Sequence, residues 1–183
     1  MNEGAGERRG LRSRTETRVH IRVASPSDAE GLRAMLSRCS SATIYRRFHI
    51  PYPDVPGWML GLMLGVGRSD MEALIAVAEG EIVGHAMYAR SGNGAEAEIA
   101  IIIEDGWQSR GVGRQLLSEL VQRAKYRGIE TFTGEVLRHN RPMLGLAAMF
   151  AGSDYGREDE VCHVRMPLTA STASASKSNH RAA

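Results

Sequence analysis

The chain has 183 residues, 43% of them apolar, which is enough to bury one sizeable core and short for two, so a single domain is expected. Lys and Arg number 23 against 21 Asp and Glu, a balance that lacks the basic field of a nucleic-acid binder. Two distant cysteines, Cys39 and Cys162, lie outside any CxxC spacing; they predict no metal site and no disulfide framework, and fit a reduced, cytoplasmic setting. No apolar run approaches the roughly 20 residues of a bilayer span, so no membrane partner is expected.

Residues 1–17 carry Arg8, Arg9, Arg12 and Arg14 interrupted by Glu3, Glu7 and Glu16, with no apolar stretch behind them, and read as a disordered leader rather than a secretory signal. Thr17 to Ala24 alternates Val19, Ile21 and Val23 with polar residues, the period of a half-buried strand. Ser25-Pro26-Ser27-Asp28 supplies cap chemistry for a helix whose apolar positions Ala29, Leu32, Met35 and Leu36 recur at helical spacing, ending near Arg38. A short helix is predicted over Ala42 to Phe48 and another over Trp58 to Leu64, with Pro51, Pro53 and Pro56 forbidding regular structure between them. Met71 to Ala78 and Glu81 to Arg90 form a hairpin about Glu79-Gly80. Ala95 to Ile103 has the β-branched density of a central strand, and helical spacing returns from Val112 to Ala124, with Gly128 as the stop. A fifth strand over Ile129 to Leu137, a helix over Arg141 to Phe150 and a last strand over Val161 to Leu168 complete the domain, 18–168. The Ser/Ala-rich residues 169–183 read as a disordered tail. The order implies a mixed sheet with helices on its faces, an α/β or α+β sandwich.

Chemistry concentrates where the isoleucine-rich strand runs through Glu104 to Trp107 into Gln108-Ser109-Arg110-Gly111-Val112-Gly113-Arg114 and a helix begins at once. A glycine-rich loop at a helix N-terminus presents unpaired N–H groups and the positive end of the helix dipole, so an anion such as a pyrophosphate is its natural ligand. Arg110 and Arg114 add positive charge there. The segment is not a dinucleotide fingerprint, since Leu116 stands where the third glycine belongs, and no GK[ST] follows to make a Walker loop.

Over roughly residues 18–168 the chain resembles the GCN5-related N-acetyltransferase (GNAT) superfamily, whose signature [QR]xxGx[GA] is filled by Gln108, Gly111 and Gly113. The resemblance implies a mostly antiparallel twisted sheet of six to seven strands flanked by about four helices. It further implies acetyl-CoA as the acyl donor, with Gln108, Ser109, Arg110, Gly111, Val112, Gly113 and Arg114 around the pyrophosphate. The backbone of Ile101, Ile102 and Ile103 would pair with the pantetheine arm, which Asn140 would also bond. Ala97-Glu98-Ile99-Ala100, Gly134-Glu135-Val136-Leu137 and Asn140-Arg141-Pro142-Met143-Leu144 are similar to bacterial Pat-type protein lysine acetyltransferases, and so, less specifically, is the early helix with Tyr45, Arg46 and Phe48. By that likeness the acceptor is an amine, a protein lysine ahead of a small molecule, and Glu98 is the base.

An ammonium group must lose a proton before it can attack a thioester, which is why a carboxylate is sought near the acyl group. Glu96, two residues before Glu98 on the same strand face, is the substitute. His85 and His139 read as ordinary sheet and loop histidines, Cys162 as a small buried hydrophobe, and Met59, Met63 and Met71 as packing that could also line an acceptor groove. The position where many of these enzymes carry a tyrosine acid is Ala147, leaving a water, Tyr155 or no acid at all for the departing thiolate.

Overall fold

The computed structural model describes residues 18–49, 55–90, 92, 94–149, 154–158 and 160–168. The expected leader and tail, Pro51 and Pro53, and Phe150 to Gly152 therefore lie outside the described residues. The elements run β1 (His20–Val23), α1 (Ala29–Arg38), α2 (Ser41–Phe48), α3 (Gly57–Met63), β2 (Met71–Ala78), β3 (Glu81–Arg90), β4 (Glu96–Ile103), α4 (Val112–Tyr126), β5 (Thr131–Leu137), α5 (Arg141–Ala147), β6 (Asp154–Glu158) and β7 (Val161–Pro167). The strands make one seven-stranded sheet in the order β1-β2-β3-β4-β5-β7-β6. Every neighbouring pair is antiparallel except β4 and β5.

The sheet is covered on both faces. Leu74, Ala76, Val83, Ala86 and Tyr88 face one core with Leu116, Leu117, Leu120 and Ala124 of α4. The alternate residues Ala73, Ile75, Ile82 and Met87 face a second core with Leu32, Met35 and Leu36 of α1, Ile44 of α2 and Leu60 and Met63 of α3. Strands buried on both sides read as continuous apolar runs, so the β2–β3 hairpin was legible to the residue. Its turn places Glu79 at φ 54° and Gly80 at φ 83°, the paired left-handed conformations of a two-residue turn that matches strand twist.

Most boundaries differ from expectation by one to three residues, and β6 was not foreseen. β5 starts at Thr131 because the Ile129 N–H is used to close the end of α4 on Ala124 O at 3.0 Å. β1 begins only at His20, and α5 ends at Ala147. β6, Asp-Tyr-Gly-Arg-Glu, is a sheet edge, where polar residues without alternation are normal and give no signal. Met63 and Met71 are buried in the second core and Met59 packs against it, so these methionines are packing residues.

The start of α1 is pinned by Asp28. Its carboxylate accepts from Arg22 Nη1 and Nη2 at 2.8 and 2.6 Å and from Ser25 N at 2.7 Å. The bond from Arg22, against the opposing effect of burial, holds its pKa at about 2 rather than 3.8. A depressed carboxylate contributes stability above its unfolded pKa and loses it as pH falls through the folded one. The stability difference between the native chain and Asp28→Asn, measured by urea unfolding, should therefore be constant above about pH 5 and shrink toward pH 2.

Gly84 of β3 leaves no room for a side chain beneath α4: a Cβ there would stand 2.9 Å from Ile103 Cδ1 and 3.1 Å from Leu116 Cδ1. Gly84→Val should destabilise by about 1–3 kcal/mol through overpacking. Gly61→Ala, in α3 with nothing within 4 Å, should be neutral or stabilising by up to about 1 kcal/mol. Thermal unfolding of the two variants should move Tm in these opposite senses.

Candidate active site

Parallel pairing between β4 and β5 covers only Glu96↔Thr131, Ala97↔Phe132 and Glu98↔Thr133. Beyond Glu98 the two strands part, while β4 stays paired with β3 as far as Ile103↔Gly84. Residues 99–103 therefore have a paired strand on one side only, and beyond Ile99, which Gly134 of β5 still flanks closely, the other side opens. Backbone polar groups in such a position require partners, so the opening is suited to an extended amide-bearing ligand.

A cavity of about 400 Å³ occupies this opening, lined by Ile101, Ile102 and Ile103, by Gln108, Ser109, Gly111, Gly113 and Arg114, and by Asn140. The loop is shaped by two left-handed residues, Ser109 at φ 59° and Gly111 at φ 83°. Gly111 is the N-cap of α4 and offers no side chain, and the first turn contains no acidic residue. The N-terminal N–H groups of a 15-residue helix thus meet the cavity without a side-chain cap, which is an anion site by construction.

The two signature glycines do different work. A Cβ on Gly111 would meet nothing within 4 Å, so its need is conformational. A Cβ on Gly113 would lie 3.2 Å from Leu146 Cδ1, so that glycine lets α5 approach α4. Arg110 stacks on the cavity-lining Trp107, its guanidinium carbon 5.0 Å from the ring centroid, and Arg114 lines the cavity, whereas Val112 is buried in the core and does not line it.

Gln108 acts within the protein. Its Nε2 donates to Ile103 O and to Thr43 Oγ1, each at 3.0 Å. Thr43 Oγ1 donates in turn to Asp105 at 2.9 Å, and Asp105 also accepts from Ser40 N and Ser40 Oγ, both at 2.8 Å. Burial raises the Asp105 pKa, but these three bonds outweigh it and the net shift is downward. The donor loop is thereby tied to the N-terminus of α2. Asn140 caps α5, its Oδ1 accepting from Met143 N at 3.3 Å, which leaves its amide N–H groups at the cavity.

A second cavity, of about 260 Å³, abuts the first and is lined by Glu98, Ile99, Ala100, Gly134, Glu135 and Met166 among others. Glu98 is exposed to it, and among the described residues no hydrogen bond or ion pair ties its carboxylate down; its charge is felt at Arg47. Glu96 is unsuited to replace it, being bound to Arg165. His85 is fully buried; its Nε2 donates to Met63 O at 2.8 Å, and burial drives its pKa down to about 4, so it stays neutral and away from solvent. Cys162 is core, and burial pushes the Cys39 thiol up to about 12. Arg46, Arg47 and Phe48 of α2 line the second cavity. Sequence analysis noted Arg46 and Phe48 only for their likeness to the Pat-type early helix and did not single out Arg47, because burial of a basic residue at a helix end depends on distant contacts.

The profile of the acetyltransferase (GNAT) family matches residues 32–152, and the chain belongs to that family. Among its relatives, acetyltransferase Pat of Mycolicibacterium smegmatis is 30% identical over 149 residues, which are 80% of this chain and 44% of that protein. The chain thus spans less than half the length of this curated relative. The crystal structure of the GNAT domain of S. lividans PAT superposes with a TM-score of 0.74 at 28% identity, covering 81% of this chain and 90% of that one. The Salmonella typhimurium protein yncA, solved with its cofactor acetyl-CoA, shares the fold with a TM-score of 0.67 at 18% identity, covering 85% and 96%. No helix among the described residues is long and apolar enough to cross a membrane.

Gly111→Ala keeps the space but strains the left-handed turn by about 1–2 kcal/mol. Calorimetric titration with acetyl-CoA should show affinity weakened about 5- to 30-fold, with far-UV circular dichroism unchanged.

Proposed function

We propose that the chain transfers the acetyl group of acetyl-CoA to a primary amine, a protein lysine side chain, with Glu98 as general base. The observation that carries this reading is the free Glu98 carboxylate at the acceptor-side cavity, directly beside the open stretch of β4. The pyrophosphate fits the α4 N-terminus, and the pantetheine amides fit the unpaired backbone of residues 99–103, with Asn140 at their side.

Glu98 takes a proton from the incoming ammonium, directly or through water. The freed amine attacks the thioester carbonyl carbon, and the tetrahedral adduct collapses by breaking the C–S bond. The electron pair leaves with sulfur, and the second proton, carried on nitrogen in the adduct, passes to the departing thiolate directly or through water. Ala147 supplies no acid, and a thiolate is a fair leaving group without one.

A protein acceptor is favoured over a small amine by the surroundings of Glu98. A third cavity, of about 540 Å³, continues from Glu98 over Thr133, Gly134 and Glu135 of β5 and His163, Val164 and Arg165 of β7. Together the two acceptor-side cavities form a trough along strands, suited to a segment of chain. The resemblance of the 97–100, 134–137 and 140–144 segments to Pat-type protein lysine acetyltransferases supports the same reading.

Glu98→Gln should lower kcat for thiol release from acetyl-CoA by about 10²- to 10⁴-fold, with acetyl-CoA affinity changed little. Undiminished turnover in this variant would remove Glu98 from the mechanism. Binding of acetyl-CoA without thiol release for any lysine protein or small amine would favour a sensor of acyl-CoA.

A further inference from the structure

Arg46, Arg47, Ile101, Asn140 and Met143 line both the donor cavity and the first acceptor-side cavity, so they mark the junction where the acyl group and the amine must meet. Among the described residues, neither of the two arginines there forms an ion pair. Arg47 Nε is buried and unpartnered, as is Arg46 Nε. Around Arg47 the environment is soft and apolar: its Nη2 lies 3.9 Å from Met87 Sδ, and its guanidinium carbon 4.8 Å from the Phe48 ring centroid. Burial draws its pKa down to about 10, with Glu98 opposing from a distance. Arg22, Arg38, Arg123 and Arg165, by contrast, each sit against a carboxylate. A desolvated guanidinium without a counter-charge is costly, and the cost is relieved when a ligand supplies one.

We propose that Arg47 is a carboxylate subsite at the reacting end of the cavity, occupied by an acid group carried either at the far end of the donor's acyl chain or beside the acceptor amine. A planar guanidinium that lines both cavities, walled by a thioether and a ring, is the group that selects a carboxylate by paired charged hydrogen bonds. A plain acetyl group leaves this subsite empty. The inference rests on the reading of the two cavities as donor and acceptor sites.

Butyryl-CoA and succinyl-CoA share a four-carbon acyl chain and differ in whether it ends in methyl or carboxylate, so their ratio of affinities isolates the subsite. In calorimetric titration the wild-type chain should bind succinyl-CoA about 10- to 100-fold more tightly than butyryl-CoA, the worth of a buried charge-assisted bond. Arg47→Gln should bring the two within about twofold, and Arg47→Lys should retain part of the preference. A second arm measures kcat/KM with acetyl-CoA for two lysine peptides differing only in a flanking Glu or Gln. A preference for the Glu peptide that Arg47→Gln abolishes, with no succinyl preference, assigns the subsite to the acceptor. Equal titrations together with equal peptides in the wild-type chain would overturn the proposal. The titration needs no turnover, so a chain inert as an acetyltransferase would still report on the subsite.

Discussion

Three residue pairs of parallel ladder decide what this molecule can do. β4 and β5 are held together at Glu96, Ala97 and Glu98 and nowhere further along. Had the ladder continued, the sheet would have been closed and the backbone of 99–103 satisfied internally. Because it stops, one strand keeps a free edge in the middle of a sheet, where a folded protein normally leaves none. The edge is usable because β3 and the two helical layers hold β4 rigid from its other sides.

The same divergence organises charge. On the donor side lies the bare N-terminus of α4, approached through a loop with two left-handed residues and no acid in the first turn. On the acceptor side lies Glu98, unpaired, with Arg46 and Arg47 across the junction. The hydrogen bond from Gln108 to Thr43, and those from Thr43 and Ser40 to the Asp105 carboxylate, fasten the donor loop to the helix that carries those arginines. Donor loop and acceptor wall are therefore one mechanical unit, and the signature glutamine serves that unit by bonding within the protein.

Much of this was legible before any coordinates. Glycine spacing at a strand-to-helix junction marks the loop Gln108 to Arg114, of which Gln108, Ser109, Gly111, Gly113 and Arg114 line the cavity with Ile101 to Ile103 and Asn140, whereas Val112 is core. Strands β2 and β3 were legible because burial on both faces writes an uninterrupted apolar run and the turn requires positive φ at two positions. β6 was not legible, since an edge strand of polar residues carries no period. The split between Glu98 and Glu96 was equally hidden: both lie on one strand face, and only the position of Arg165 on β7, far along the chain, occupies one and leaves the other free.

Local chemistry is what the sequence alone determined: where the chain turns, where an anion can sit, and which strand carries the carboxylates. These follow from φ preferences, helix ends and side-chain period, all of which act over a few residues. Tertiary structure alone decided how far β4 and β5 stay paired, which carboxylate stays free, and that Arg47 Nε is buried at the junction with no hydrogen-bond partner among the described residues. Each of those depends on contacts between residues distant in the chain, whose geometry no local pattern encodes.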